Sequence, residues 1–175
     1  MITEKLVKTY IIPDCEELNK VLKQKILDFG DDQDRRTNVK AFMTTYFINR
    51  SPKYDFYPFT EFKEFYRQAH GDYITSLYDL NIKQDVLYSP IQQIWGAVYR
   101  KGDYTIEHNH SPFHISFVYY VEAGEDSAPL IFRSIDAIVK PKDGMLVLFP
   151  SWLKHEVPEH TSVTDRVVIA GNSFQ

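Results

Sequence analysis

A single cysteine, Cys15, is all the thiol chemistry in 175 residues, so no internal disulfide can brace the fold. No apolar segment approaches the ~18 residues of a membrane-spanning helix. Basic residues form no long stripe: 20 Lys and Arg are interspersed with 24 Asp and Glu for a net charge of -4, and nucleic acid is not the partner this distribution points to. The opening Met-Ile-Thr-Glu-Lys lacks the basic-then-apolar pattern of a signal peptide. Neither an internal repeat, a low-complexity tract nor a linker is visible. These absences predict an intracellular, cytoplasmic and soluble protein with no membrane partner, folded as one domain over residues 1–175.

What the sequence does contain is aromatic surface, 15% of its residues, enough for a dense, sheet-rich interior. Leu6 to Ile12 reads as a short strand that Pro13 ends, because proline supplies no ladder donor. A helix follows, with Asp14 as its N-cap, Glu17 three residues on, an apolar face of Leu18, Val21, Leu22 and Ile26, and Gly30 to close it. Residues 30–40 are polar and turn-prone, a solvated loop, and Ala41 to Ile48 fits a strand. The loop over 49–58 carries three aromatics and two prolines; it either packs back on the body, the commoner arrangement, or covers a pocket. Phe59, Phe62, Phe65, Tyr66, Ala69, Tyr73 and Leu77 keep helical spacing, predicting a second helix from Thr60 to about Leu80 with Gly71 as its weak point and His70 on its surface.

From Ile91 the period changes to strands: Ile91 to Tyr99, Ile115 to Val121, Leu130 to Phe132, Met145 to Phe149 and Val167 to Phe174. Short strands separated by Gly, Pro, Asp and Ser turns indicate a mainly β fold with N-terminal helices, most naturally a jelly-roll barrel over about 91–175 with helical support over about 1–90.

The chemistry concentrates in that second half. His108 and His110 lie one residue apart and project to one face of an extended strand, where they can share a metal. His155 follows the apolar run Met145 to Phe149, and Arg166 comes eleven positions later at the head of another. Imidazole suits Fe, Zn, Cu and Ni. A bare His-x-His is more often unliganded; the third histidine, the arginine and the glycine and aromatic pattern before the pair favour a metal centre. A guanidinium pointing into a barrel must find an anion, and a carboxylate fits its planar fork, whereas the plainer reading is a surface salt bridge.

Tyr99-x-x-Gly102-Asp-Tyr104, His108-x-His110, Ser116-Phe-Val-Tyr-Tyr120, Pro141-Lys-Asp-Gly144, Phe149-Pro-Ser-Trp152, His155 and Arg166 together resemble the iron(II)/2-oxoglutarate-dependent oxygenases of the prolyl-hydroxylase-like branch, over about the last 85 residues. The likeness is greatest to small oxygenase-like proteins of phages and bacteria. The resemblance implies a double-stranded β-helix, the cupin-like form of the jelly roll. It also implies Fe(II) as the metal and 2-oxoglutarate and O2 as cosubstrates, with release of succinate and CO2 as a substrate is hydroxylated. His108 and His155 then correspond to metal ligands and Arg166 to the anchor of the distal 2-oxoglutarate carboxylate, with Tyr99 and Tyr120 at active-site tyrosine positions. The substrate class stays open among a peptidyl side chain, a metabolite and a nucleic-acid base.

One position departs from that family, which places a carboxylate where His110 stands. Either His110 ligates, giving a three-histidine site, or it lies outside the ligand set, or iron chemistry has been lost; ligation is the favoured expectation because the rest of the apparatus is intact. The alternative from another class is a cupin-like metal or small-ligand binding protein without 2-oxoglutarate chemistry. Gly102-x5-His108-x-His110 and Gly144-x5-Pro150-x4-His155 approximate cupin spacings, although the glutamate expected soon after His110 is missing. Arg166 discriminates, since a cupin needs no such anchor. His114 and His160 are expected to be non-ligands, with His114 the reserve.

Overall fold

The barrel begins where proline, glycine and charge thin out and β-branched and aromatic side chains take over. The computed structural model describes residues 5–32, 37–80 and 89–174. Its strands are β1 (Lys8–Ile11), β2 (Val39–Lys40), β3 (Phe42–Met43), β4 (Ile91–Tyr99), β5 (Tyr104–His108), β6 (Ile115–Ala123), β7 (Leu130–Phe132), β8 (Ala137–Val139), β9 (Met145–Pro150), β10 (His155–Val157) and β11 (Arg166–Ser173). They form a six-stranded sheet in the order β1-β9-β6-β11-β4-β3 and a five-stranded one in the order β2-β5-β10-β7-β8. From β4 on, successive strands alternate between the sheets in the jelly-roll manner, with β7 and β8 as a hairpin. Strands from the N-terminal part also join the barrel: β1 extends one sheet at β9, and β2 and β3 extend both sheets next to β5 and β4.

Two helices back the six-stranded sheet. In α1 (Glu16–Phe29), Leu22 and Ile26 are fully buried, while Glu16 and Glu17 place negative charge in the first turn, where the helix dipole favours it. The N-cap is Cys15 rather than Asp14. Asp14 takes a left-handed backbone (φ 50°) in the turn out of Pro13, and no side chain caps the helix. Gly30 closes it at φ 79°.

α2 (Phe59–Leu77) runs unbroken through Gly71. His70, expected on its surface, is fully buried instead: Phe62, Tyr66, His70 and Ile74 recur every fourth residue on the face that meets the sheet. Of the loop expected over 30–40, residues 33–36 lie outside the described residues, and its end is not loop but β2. The strand expected over Ala41 to Ile48 shrinks to Phe42–Met43. Within the 49–58 loop, Tyr54 is buried against Phe59 while Phe56 and Tyr57 face solvent, so the loop packs back through one ring.

Period-2 alternation gives the central sheet two dry faces. Ile94, Val98, Phe117, Tyr119, Leu146, Leu148, Val167 and Ile169 pack outward on the helices. Trp95, Ala97, Tyr99, Val118, Tyr120, Val147, Phe149, Val168 and Ala170 point into the barrel. β11 sits between β6 and β4, and at Gly171 an added Cβ would lie 2.5 Å from the Gln93 carbonyl oxygen and 2.6 Å from the Phe117 ring. Gly171→Ala is therefore expected to destabilise the protein by about 1–3 kcal/mol through overpacking. Thermal unfolding should show a fall in Tm of several degrees.

Candidate metal centre

β5 and β10 are antiparallel neighbours, and their register sets His108 directly opposite His155. His110 lies not on the strand, as alternation predicts, but two residues beyond His108 in the loop after β5. Its backbone N–H donates to the Ser151 carbonyl at 2.7 Å, which ties this loop to the segment after β9 and turns the ring inward. The three rings converge, with centroids 4.7 Å apart for His108 and His110, 4.5 Å for His108 and His155, and 5.1 Å for His110 and His155. One ring nitrogen from each lies within 4.8 Å of the other two.

The ring tautomers follow from hydrogen bonding. His108 Nδ1 meets the Ile106 carbonyl at 2.7 Å and His155 Nδ1 the Leu153 carbonyl at 3.0 Å. A carbonyl only accepts, so both Nδ1 atoms carry the hydrogen and both Nε2 atoms keep a lone pair, the arrangement that orients metal-binding histidines. His110 has no such carbonyl among the described residues; its ring leans on Trp95, centroids 5.7 Å apart. Burial pushes all three imidazoles below the usual histidine range, and for His110 and His155 the neighbouring rings add to it, down to about 2 and about 3 respectively. The cluster is thus neutral at physiological pH and presents three nitrogen donors, which fits Fe(II) and the other later divalent ions of the first transition row.

Arg166, at the head of β11, lies in the same cavity wall and is 1% exposed. Its guanidinium sits between two inward-facing rings, 4.6 Å from the Tyr99 centroid and 5.0 Å from that of Tyr120. Among the described residues one long hydrogen bond, Nη2 to the Tyr120 hydroxyl at 3.4 Å, is its only hydrogen bond, and Nε and Nη1 are buried without a partner. Among the described residues no carboxylate pairs with it, so the surface salt-bridge reading does not hold. The Tyr99 hydroxyl is held by Thr105 Oγ1 at 2.7 Å, and burial pushes the Tyr120 phenol up against the opposing pull of Arg166.

His160 is spent structurally: Nε2 donates to the Thr164 carbonyl at 2.7 Å and Nδ1 accepts from Ala128 N–H at 3.3 Å. His114 stays outside the cluster against Phe174. The sequence reading missed Trp95, the ring beside His110, and Thr105, which fixes Tyr99. Trp95 shares parity with Tyr99 on one strand, a signal that was available; Thr105 reaches Tyr99 only through the packing of β5 across the barrel.

A jelly roll whose interior holds three converging imidazoles and a buried cation is a barrel of the double-stranded β-helix class with a candidate metal centre. Residues 133–172, which contain His155 and Arg166, match the family described as "Putative 2OG-Fe(II) oxygenase". That match covers 40 of the chain's 175 residues and is a similarity to the family over the segment that carries His155 and Arg166.

The solved structures it resembles share the fold at low identity. A Pseudomonas putida prolyl-4-hydroxylase aligns at TM-score 0.63 and 15% identity over 97% of this chain and 92% of its own. The viral collagen prolyl hydroxylase of Paramecium Bursaria Chlorella virus-1, in a 2OG complex, aligns at 0.60 and 12% over 98% and 97%. A Trichoplax adhaerens prolyl hydroxylase in complex with a hypoxia inducible factor peptide fragment aligns at 0.61 and 12% over 98% and 86%. No curated protein matches in sequence. Among the described residues no helix is long and apolar enough to cross a membrane.

Proposed function

We propose that this protein is a non-haem Fe(II)- and 2-oxoglutarate-dependent dioxygenase in which His108, His110 and His155 hold the metal and Arg166, flanked by Tyr99 and Tyr120, holds the distal carboxylate of 2-oxoglutarate. The observation that carries the reading is a buried guanidinium with two nitrogens unpartnered among the described residues, in the same cavity as three neutral imidazoles. When bound, Fe(II) supplies the coupling of O2 to oxidative decarboxylation of 2-oxoglutarate, so that R–H, 2-oxoglutarate and O2 become R–OH, succinate and CO2.

Each residue then has a defined task. Arg166 offers its unpartnered Nε and Nη1 as donors to a carboxylate, and the rings of Tyr99 and Tyr120 flank the guanidinium. The Nδ1 bonds of His108 and His155 leave their Nε2 lone pairs free, and these would hold the metal. Val118, Leu130, Phe149, Val168 and Ala170 keep the wall dry, which strengthens every charge interaction within. A cupin-like binding protein has no use for Arg166. An intracellular setting suits a chain whose one cysteine is buried and unpaired.

The test is anaerobic reconstitution with Fe(II) and 2-oxoglutarate followed by oxygen, scoring succinate with candidate peptides, metabolites and bases. Metal- and oxygen-dependent succinate is the expected result; none under any of these conditions overturns the reading.

His110 permits a separate check. His110→Asp should retain Fe(II) binding, because aspartate supplies a hard anionic ligand, whereas His110→Ala should weaken it, because alanine supplies none. Anaerobic metal titration of the two variants decides it; equal weakening would remove His110 from the ligand set.

A further inference from the structure

Among the described residues no aspartate or glutamate is buried. The cavity wall carries the three histidines and Arg166, and otherwise only tyrosine, threonine and apolar side chains. Its charge therefore does not balance when the proposed cofactors are bound. A divalent ion and Arg166 bring three positive charges, the three imidazoles bring none, and 2-oxoglutarate returns two negative ones, leaving one positive charge at the half-buried centre.

The inward row beyond the histidines does not supply the missing charge. Counting away from Arg166 along β11, Asn172 pairs with Gln93 on one side and Ser116 on the other. Ser116 Oγ donates to Asn172 Oδ1 at 2.8 Å and lies 2.8 Å from Ser151 Oγ; Asn172 Nδ2 donates to Gln93 Oε1 at 3.1 Å. Every member is neutral. With its oxygen engaged, Gln93 keeps its Nε2 hydrogens to donate, two residues along β4 from the Trp95 that touches His110.

We infer that the substrate itself supplies the missing negative charge: it is a small organic molecule bearing a carboxylate, received beside the histidine triad in the cavity that Trp95 and Arg166 also line. The inference rests on the dioxygenase reading and narrows its substrate class. An organic carboxylate has two oxygens to accept hydrogen bonds and neutralises the residual charge, whereas a neutral substrate that covers the centre takes that charge out of water unpaired.

The experiment measures binding, not turnover. The protein is loaded with Co(II) under anaerobic conditions and saturated with labelled 2-oxoglutarate. It is then titrated calorimetrically with acetate, with its neutral isostere acetamide and with chloride, while equilibrium dialysis confirms that 2-oxoglutarate stays bound. Acetate is expected to bind at least tenfold more tightly than either of the others. In His110→Asp, which adds a negative charge to the centre, acetate affinity is expected to fall at least tenfold with 2-oxoglutarate still bound.

Acetamide binding as well as acetate, or no acetate binding to the 2-oxoglutarate complex, would overturn the inference while leaving the dioxygenase reading intact. Chloride binding as well as acetate would reduce the site to one for any small ion and also overturn it. Failure of 2-oxoglutarate to bind the metal-loaded protein would bring down the dioxygenase reading and this inference with it. The acetate and acetamide comparison in the unmodified protein needs no variant to fold.

Discussion

Arg166→Met is expected to weaken 2-oxoglutarate binding by ten- to a hundredfold or more, since a charge-assisted hydrogen-bonded pair contributes about 1.5–3 kcal/mol. Metal affinity should stay close to that of the parent, because among the described residues Arg166 has no hydrogen bond to the histidines and sits between Tyr99 and Tyr120. The same variant should be more stable than the parent when no ligand is present. Its guanidinium is buried with two nitrogens unpartnered among the described residues, and each orphaned buried donor costs about 1–3 kcal/mol, whereas methionine keeps the apolar stem without that cost. A Tm raised by several degrees together with lost 2-oxoglutarate affinity is the signature of a residue kept for a ligand. A lowered Tm with unchanged affinity would make Arg166 a structural residue and restore the cupin-like reading. Calorimetric titration and thermal unfolding on one preparation give both numbers.

The other large effect belongs to the metal. His108→Ala and His155→Ala should each weaken Fe(II) binding by about a hundredfold or more, on the scale of about 10–16 kcal/mol shared among four ligands in structural zinc sites. His155 is the more deeply buried, packed against Phe149 and Phe132, so its replacement also opens a void and should lower Tm. His108 is half-buried, and its loss should cost less stability. Metal content as purified is a poor measure, because Ni, Cu or Zn can outcompete Fe in a nitrogen site. Anaerobic titration with Fe(II) is the check, and stoichiometric binding in both variants would contradict the proposed ligand set.

The strands with near-continuous apolar runs were legible in the sequence. Ile91 to Tyr99 and Leu130 to Phe132 fall as expected, because apolar residues there fill both faces of a buried sheet. β10 and β8, three residues each, carry too little pattern to be seen alone and exist because β7 pairs with both. His108, His155 and Arg166 could be picked out by type and spacing. The placement of His110 could not, since it depends on a backbone bond to Ser151, a residue 41 positions away. His70 was misjudged despite an available signal: it continues the Phe62 and Tyr66 stripe, and a polar residue on an apolar stripe is buried with it. The inward tilt of Tyr99 onto Arg166 needed the register of β4 with β11, which sets the two opposite each other.

The most direct test of the central claim is an anaerobic calorimetric titration of 2-oxoglutarate into the Fe(II)-loaded protein and into the metal-free protein. One equivalent bound, much more tightly with Fe(II) than without, is the result that three histidines and a buried arginine in one cavity predict. Affinity that does not depend on the metal, or no binding when Fe(II) is held stoichiometrically, would contradict it.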